Sequence, residues 1–161
     1  MKTRFLLAAV VTALALPTLA LPTLAQARPV TFNAEMATYK GDGAYLALYL
    51  TDAQGQYKRT LWVAGKKAKF YKHLADWARG SGLQKSEYDG MSGASVGSGK
   101  TLQITVEVDD ALIDAGYQVQ IDSAVEDKRD YRAEVVAPLT SAGAGKAVAG
   151  KGYVKSLTYS F

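Results

Sequence analysis

The residues best able to carry chemistry lie in one stretch rich in glycine and serine, over residues 88–101. This stretch carries several hydroxyl side chains among residues with small side chains or none, and it includes the cation Lys100. A hydroxyl on such a pliable segment can enter the cleft of another enzyme and accept a phosphate-linked group. The stretch therefore indicates either a phosphate-binding loop or a site of covalent modification.

A phosphate-binding loop for nucleotide hydrolysis is excluded by two features. The tail Gly99-Lys100-Thr101 is similar to the end of a P-loop, but that motif needs a glycine five residues before Gly99, and Ala94 holds the position. A helix should also follow, whereas residues 102–108 alternate between apolar and polar side chains as in a strand. We therefore expect no nucleotide hydrolysis.

The segment Asp89-Gly90-Met91-Ser92-Gly93-Ala94-Ser95 resembles the flavinylation motif of bacterial extracytoplasmic electron-transfer proteins. In that motif Asp and Gly are followed by any residue, Ser or Thr, Gly, Ala, and finally Ser or Thr. The resemblance implies that an FAD:protein FMN transferase attaches FMN through a phosphoester to the last hydroxyl. By position that hydroxyl belongs to Ser95, and Ser92 fills the earlier Ser or Thr position.

The other residues of the stretch fit this attachment chemistry. Three small residues keep the segment pliable and the approach to the phosphorus unhindered: Gly90, Gly93 and Ala94. We expect Asp89 to order the loop by accepting hydrogen bonds from backbone amides two or three residues further on. Lys100 is expected to neutralise the phosphodiester, and Tyr88 is the best candidate for stacking on the isoalloxazine ring.

Most of the chain after the first residues resembles the family of predicted periplasmic proteins called domain of unknown function 2271. The resemblance rests on residues 45–52, 58–63, 89–95 and 115–117, together with Tyr71, Leu74, Trp77 and Glu126. It implies a role in extracytoplasmic electron transfer, with a membrane-bound PepSY-type reductase and a flavin transferase as partners. Residues 128–150 depart from the family pattern.

The beginning of the chain predicts a signal peptide for the Sec pathway. Lys2 and Arg4 form a basic region, residues 5–15 are apolar, and Ala25-Gln26-Ala27 supplies the small residues that cleavage after Ala27 requires. Two prolines interrupt the helix signal, so we expect no stable membrane insertion. The predicted product is a periplasmic protein with a single domain over residues 28–161.

The composition narrows the class of protein and of site. With 48% apolar and 21% charged residues, the chain is too apolar for a disordered tail and too polar for a multi-span membrane protein. The absence of cysteine excludes disulfides, zinc-thiolate sites and thiol nucleophiles. The single histidine, His73, is expected to bond Asp76 at a helix boundary rather than a metal.

The charge of the chain gives no reason to expect a nucleic-acid partner. Two of the 19 basic residues belong to the predicted signal peptide, which leaves a small excess over the 15 acidic residues. Four lysines form a basic edge that we expect to be a solvated face: Lys66, Lys67, Lys69 and Lys72.

Alternating apolar residues predict about seven strands, over residues 30–36, 44–51, 57–64, 102–108, 117–121, 130–137 and 153–161. One helix is predicted from Lys69 to Arg79, with Gly80 as its stop. We expect Trp62 and Trp77 in the core, residues 80–100 as a long loop without structure of its own, and residues 141–151 as an exposed mobile loop.

The predicted fold is mainly β, an immunoglobulin-like antiparallel β-sandwich with one inserted α-helix, and a small barrel is the alternative. Two functions of different class follow. One is a periplasmic electron-transfer protein carrying FMN on Ser95, a redox carrier more than a catalyst because no acid–base constellation is present. The other is a cofactor-free immunoglobulin-like binding or accessory module, in which the glycine-rich loop is only a connector.

Overall fold

The computed structural model describes residues 26–161; the predicted signal peptide, apart from its last two residues, lies outside this part. Within the described residues the chain forms nine strands. They are β1 (Ala27–Met36), β2 (Tyr45–Thr51), β3 (Tyr57–Ala64), β4 (Ser92–Gly93), β5 (Thr101–Asp109), β6 (Gln118–Ala124), β7 (Tyr131–Pro138), β8 (Val148–Ala149) and β9 (Val154–Ser160).

These strands form two packed sheets. The four-stranded sheet has the order β5-β1-β9-β8, and the five-stranded sheet has the order β4-β3-β2-β6-β7. Every pairing is antiparallel except that of β4 with β3. The predicted mainly β sandwich with few helices is confirmed. Sandwiches of this class have the same two-layer architecture but differ in the order in which their strands are connected.

The core between the sheets follows from the period of two in the strands. In β1, Val30, Phe32, Ala34 and Met36 are buried, while the residues between them are half-buried on the other face. They pack against apolar residues of the five-stranded sheet such as Leu48. Burying one face of each sheet removes these side chains from water and stabilises the two layers.

The central strand β2 is buried on both faces. Its sequence Tyr-Leu-Ala-Leu-Tyr-Leu-Thr has apolar residues at nearly every position, which is typical of a strand covered on both sides. Leu46 and Leu48 belong to the core between the sheets, whereas Ala47 and Tyr49 belong to a second cluster that includes Trp77. The five-stranded sheet is therefore the middle layer, with the helical segment on its outer face.

The prediction of one helix from Lys69 to Arg79 is wrong in its bounds. A 3₁₀ helix covers Ala68–His73, and the α-helix α1 covers Ala75–Ser81. The two are separated because Leu74 has φ −85° and ψ 70°, outside the helical range.

The helix also does not stop at Gly80, which lies inside α1. It ends at Gly82, which has the left-handed conformation typical of this position, with φ 62° and ψ 15°. A Cβ at Gly80 would lie 2.3 Å from the Cβ of Tyr57, so glycine there lets the helix approach β3 closely.

A buried carboxylate fixes the start of α1. Asp122 of β6 is fully buried, and its Oδ2 accepts hydrogen bonds from the backbone N–H groups of Asp76 (2.8 Å) and Trp77 (2.9 Å). These are first-turn amides that have no partner within the helix, so the carboxylate supplies their acceptor. This role was not predicted, because Asp122 lies in a strand of alternating pattern.

The prediction of residues 141–151 as a mobile loop is also wrong. This segment holds a 3₁₀ turn at Ser141–Gly143 and the strand β8, which pairs with β9. The hydroxyl of Tyr159 donates to the carbonyl of Thr140 (2.8 Å), and Gly145 N–H donates to the carbonyl of Tyr159 (2.8 Å). These bonds hold the segment against the four-stranded sheet.

Candidate functional site

The motif stretch is attached to the edge of the five-stranded sheet. Ser92 and Gly93 form β4, parallel to β3. Val63 N–H donates to the carbonyl of Met91 (2.9 Å), and Gly65 N–H donates to the carbonyl of Gly93 (2.8 Å). The prediction of an unstructured loop over residues 80–100 is therefore wrong, because the backbone of the motif satisfies polar groups that the edge of β3 would otherwise leave unpaired.

A second attachment follows immediately. Val96 forms an isolated antiparallel bridge with Ala44, through Ala44 N–H to the carbonyl of Val96 (2.7 Å) and Val96 N–H to the carbonyl of Ala44 (2.9 Å). Ala94 and Ser95 span the two attachments, and both are exposed. The candidate acceptor hydroxyl is thus on a short exposed segment whose two ends are held by the sandwich.

The side chain of Ser95 lies directly over Gly43. A Cβ added at Gly43 would lie 2.6 Å from the Oγ of Ser95 and 3.1 Å from its Cβ. Any other residue at position 43 would force the serine side chain to shift. Gly43 therefore provides the space that Ser95 occupies.

Ser95 and Ala94 line a surface depression of about 450 Å³. Its other lining residues are Asp42, Gly43, Tyr45, Lys66, Lys67 and Glu126. Two lysines and two carboxylates therefore line the depression, and Lys66 and Lys67 are the cations that can pair with a phosphate ester at Ser95.

The opposite side of the motif packs on an indole ring. A Cβ at Gly93 would lie 2.9 Å from Cζ2 of Trp62, so the motif glycine allows the chain to pass close to this ring. The Nε1 of Trp62 is buried and has no hydrogen-bond partner among the described residues. Gly93 is needed here for a close approach, and not only for the pliability that was predicted.

Asp89 and Gly90 lie in an exposed turn before β4. The turn is closed by the main chain, through Met91 N–H to the carbonyl of Tyr88 (3.0 Å). In the described part of the chain this main-chain bond closes the turn, and the ordering role of the Asp89 carboxylate stays a prediction. Ser92, in β4, has an exposed side chain.

Lys100 and Tyr88 lie apart from the residues that line the depression. Lys100 is exposed, and its carbonyl accepts from Met36 N–H (2.8 Å) where β5 begins. Tyr88 is half-buried, with its ring edge-on to those of Tyr71 (5.1 Å between centroids) and Trp77 (6.1 Å). Its ring therefore packs in the cluster under the helical segment. The predicted core position of Trp77 is confirmed, since it is fully buried and donates from Nε1 to Thr60.

His73 bonds a partner other than the one expected. Its Nδ1 lies 2.9 Å from Oδ2 of Asp130, while Asp76 pairs with Arg132 and Arg79. The break at Leu74 removes the helical spacing on which the His73–Asp76 prediction relied. Among the described residues no group of three or more His, Cys, Asp and Glu can hold a metal ion.

Tyr71 anchors the helical segment beside the depression. Its hydroxyl donates to the carbonyl of Gly65 (2.7 Å), directly before the two lysines of the depression. Burial raises the pKa of the Tyr71 phenol, so the hydroxyl stays a donor. This contact determines where the chain leaves β3 and therefore where Lys66 and Lys67 are placed.

Four residues that line the depression were not predicted from the sequence as part of a site: Asp42, Gly43, Tyr45 and Glu126. Lys66 and Lys67 had been recognised only as part of a basic edge. A phosphate ester is stabilised by nearby cations, and this requirement could have indicated these two lysines as partners of Ser95. Their proximity to Ser95, however, depends on the pairing of β3 with the motif, which alternation alone does not predict.

Comparison with known proteins shows the family of this chain. The family model described as "Predicted periplasmic protein (DUF2271)" matches residues 27–156. No curated protein and no solved structure matches the chain. No helix in the described residues is long and apolar enough to cross a membrane.

Proposed function

Because the chain belongs to the DUF2271 family of predicted periplasmic proteins, we propose that it is a periplasmic electron carrier with FMN attached covalently to Ser95. The observation that carries the proposal is the exposed Ser95 hydroxyl at the depression that Lys66 and Lys67 also line. Two further features fit the attachment: Gly43 leaves space for the Ser95 side chain, and both ends of the segment 94–95 are held by the sandwich. The periplasmic localisation predicted from the sequence agrees with the family description.

The attachment uses the serine as the acceptor of a group from FAD. Ser95 Oγ forms a bond to the phosphorus on the riboflavin side of the FAD pyrophosphate, and the bond from that phosphorus to the bridging oxygen breaks. AMP leaves with the electron pair, and the serine proton passes to a base of an FAD:protein FMN transferase. That partner acts in trans, so the chain itself needs only an accessible hydroxyl.

The chain's own residues then hold the ester. Lys66 and Lys67 offset the negative charge of the phosphodiester, a contribution of about 0.2–1 kcal/mol for each exposed pair. FMN, once bound, supplies the redox chemistry, and the protein tethers it and controls access to it. A membrane-bound PepSY-type reductase is the proposed electron donor.

Replacing Ser95 by alanine tests the proposal most directly. Co-expression of the chain with an FAD:protein FMN transferase is expected to increase its mass by one FMN less one water, and Ser95→Ala is expected to abolish the increase. Ser92→Ala is the matched control, because Ser92 is also an exposed serine of the motif and is expected to keep the modification. Intact-protein mass spectrometry measures both.

An unchanged mass of the wild-type chain beside an active transferase would contradict the proposal. The chain would then be a cofactor-free periplasmic module, the alternative function. A mass increase that persists in Ser95→Ala and disappears in Ser92→Ala would show that FMN is attached to Ser92 instead of Ser95.

Gly43→Ala is expected to slow the modification without preventing it. The new methyl group forces the Ser95 side chain out of its position, and a displaced rotamer costs about 0.5–1.5 kcal/mol, or roughly a two- to ten-fold lower rate. Gly97→Ala is the control, because a Cβ there meets its nearest atom at 3.6 Å. A time course of mass gain measures the rates, and equal rates for the two variants would show that Gly43 is not needed for Ser95.

A further inference from the structure

A second recess lies beside the depression at Ser95. This aromatic recess has a volume of about 250 Å³ and shares Tyr45 and Glu126 with the depression. Its other lining residues include Phe70, His73, Ala124 and Val125. A group fixed at Ser95 therefore has a neighbouring concave surface within the same face of the molecule.

Tyr45 lines both spaces, and its ring packs against the main chain of Gly65. A Cβ at Gly65 would lie 2.0 Å from Cδ1 of Tyr45, so the ring covers the main chain of this glycine. The ring is half-buried and edge-on to Phe70, with 5.5 Å between centroids. Tyr45 thus has a determined orientation and keeps part of its surface open to both spaces.

The recess combines buried apolar residues with four charged residues, Glu126, Asp127, Lys128 and Asp130. Ala124 and Val125 are only 5% and 3% exposed, and Phe70 is half-buried. Lys67 and Lys69 do not line the recess, but their ammonium groups lie 5.9 Å and 4.8 Å from the centre of the Phe70 ring. A flat aromatic heterocycle with polar edges fits such a surface, since its faces bury against apolar groups while its edges meet charges.

We infer that the aromatic recess binds the isoalloxazine ring of the FMN attached to Ser95, with Tyr45 and Phe70 as its aromatic walls. This inference rests on the proposed function, and it adds the binding site of the isoalloxazine ring. Lys66 and Lys67 would hold the phosphate at the depression, and Tyr45 and Phe70 would hold the ring in the recess. Packing against these aromatic side chains would shield the ring from water.

The test uses the flavinylated protein and two variants, Tyr45→Leu and Phe70→Leu. Flavin fluorescence and its quenching by iodide report on ring exposure, and mass spectrometry reports on attachment. The wild-type ring is expected to be less accessible to iodide than free FMN. Each variant is expected to keep the mass increase and to raise the exposed fraction of the ring about three- to ten-fold, the factor that an aromatic contact is worth. Phe161→Leu is the control, because Phe161 is 40% exposed and forms part of neither space.

The outcomes separate the two proposals. A full mass increase with wild-type iodide quenching equal to that of free FMN would overturn the ring site and leave the attachment at Ser95 intact. Variants that quench as the Phe161→Leu control does would also overturn it. No mass increase in the wild-type protein would overturn the proposed function and the ring site together.

Discussion

Asp122→Ala is expected to lower the free energy of unfolding by about 3–5 kcal/mol, a large part of the stability of a domain of this size. The carboxylate is fully buried and accepts four hydrogen bonds, from the N–H groups of Asp76, Trp77 and Ala133 and from the hydroxyl of Tyr49. Alanine leaves the three backbone N–H groups without this acceptor, whereas the Tyr49 hydroxyl keeps Gln120 Oε1 at 3.2 Å as an acceptor.

The effect arises from hydrogen bonding more than from shape. Burial raises the pKa of the Asp122 carboxyl, and the bonds from Trp77, Ala133 and Tyr49 oppose this increase. Asp122→Asn keeps the shape but presents an amide donor to two of the existing donors. We therefore expect Asn to lose stability as well, by about 2–3 kcal/mol.

Urea denaturation of the purified chain measures both variants. Asp89→Ala is the control, because Asp89 is exposed and its variant is expected to unfold with the wild-type midpoint. A loss below about 1 kcal/mol for Asp122→Ala would show that the start of α1 is held by other contacts. Near-ultraviolet circular dichroism is expected to change as well, since the helix carries Trp77 against Tyr71 and Tyr88.

Glu134→Ala is expected to cost about 2–4 kcal/mol, because it disconnects the two sheets at one end. Glu134 of β7 is 1% exposed. Its Oε1 accepts from the N–H groups of Gly152 (2.7 Å) and Val154 (2.6 Å), where β9 begins in the other sheet, and its Oε2 accepts from the Ser123 hydroxyl. Glu134→Gln keeps an oxygen for the two amides and places an NH₂ at Ser123, so its loss is expected to be below about 1.5 kcal/mol.

The pH dependence of Glu134→Gln has a definite sign. Burial raises the pKa of Glu134 above 4.5, so the folded protein holds the proton more tightly than the unfolded chain does. This contribution to stability is fully present below pH 4.5 and is lost as the pH rises through the raised pKa. Glutamine does not titrate, so the stability of the wild type relative to Glu134→Gln is expected to fall over that range.

Urea denaturation at a series of pH values measures this difference. Glu107→Gln is the control, because it is the same substitution at an exposed position of β5. A difference that stays constant or grows with pH would contradict a raised pKa at Glu134.

Several features could be predicted from local pattern. The alternation in β1 predicted which side chains face the core, because the strand pleat turns successive side chains to opposite faces. The apolar run of β2 and the turn that follows it predicted the hairpin with β3, which the structure confirms. The small residues and hydroxyls of residues 89–95 marked one exposed segment as the candidate site. Each of these conclusions needs only residues that are neighbours in the chain.

What the sequence by itself determined, then, is the mainly β class, the family and the candidate acceptor Ser95. The tertiary structure decided the partners: Gly43 beneath Ser95, Asp130 instead of Asp76 at His73, and the attachment of the motif to the edge of β3. These contacts join residues tens of positions apart. Local propensity and periodicity carry no information about such pairs, because the pairing is settled by which strand edges and apolar faces must be covered together when the two sheets pack.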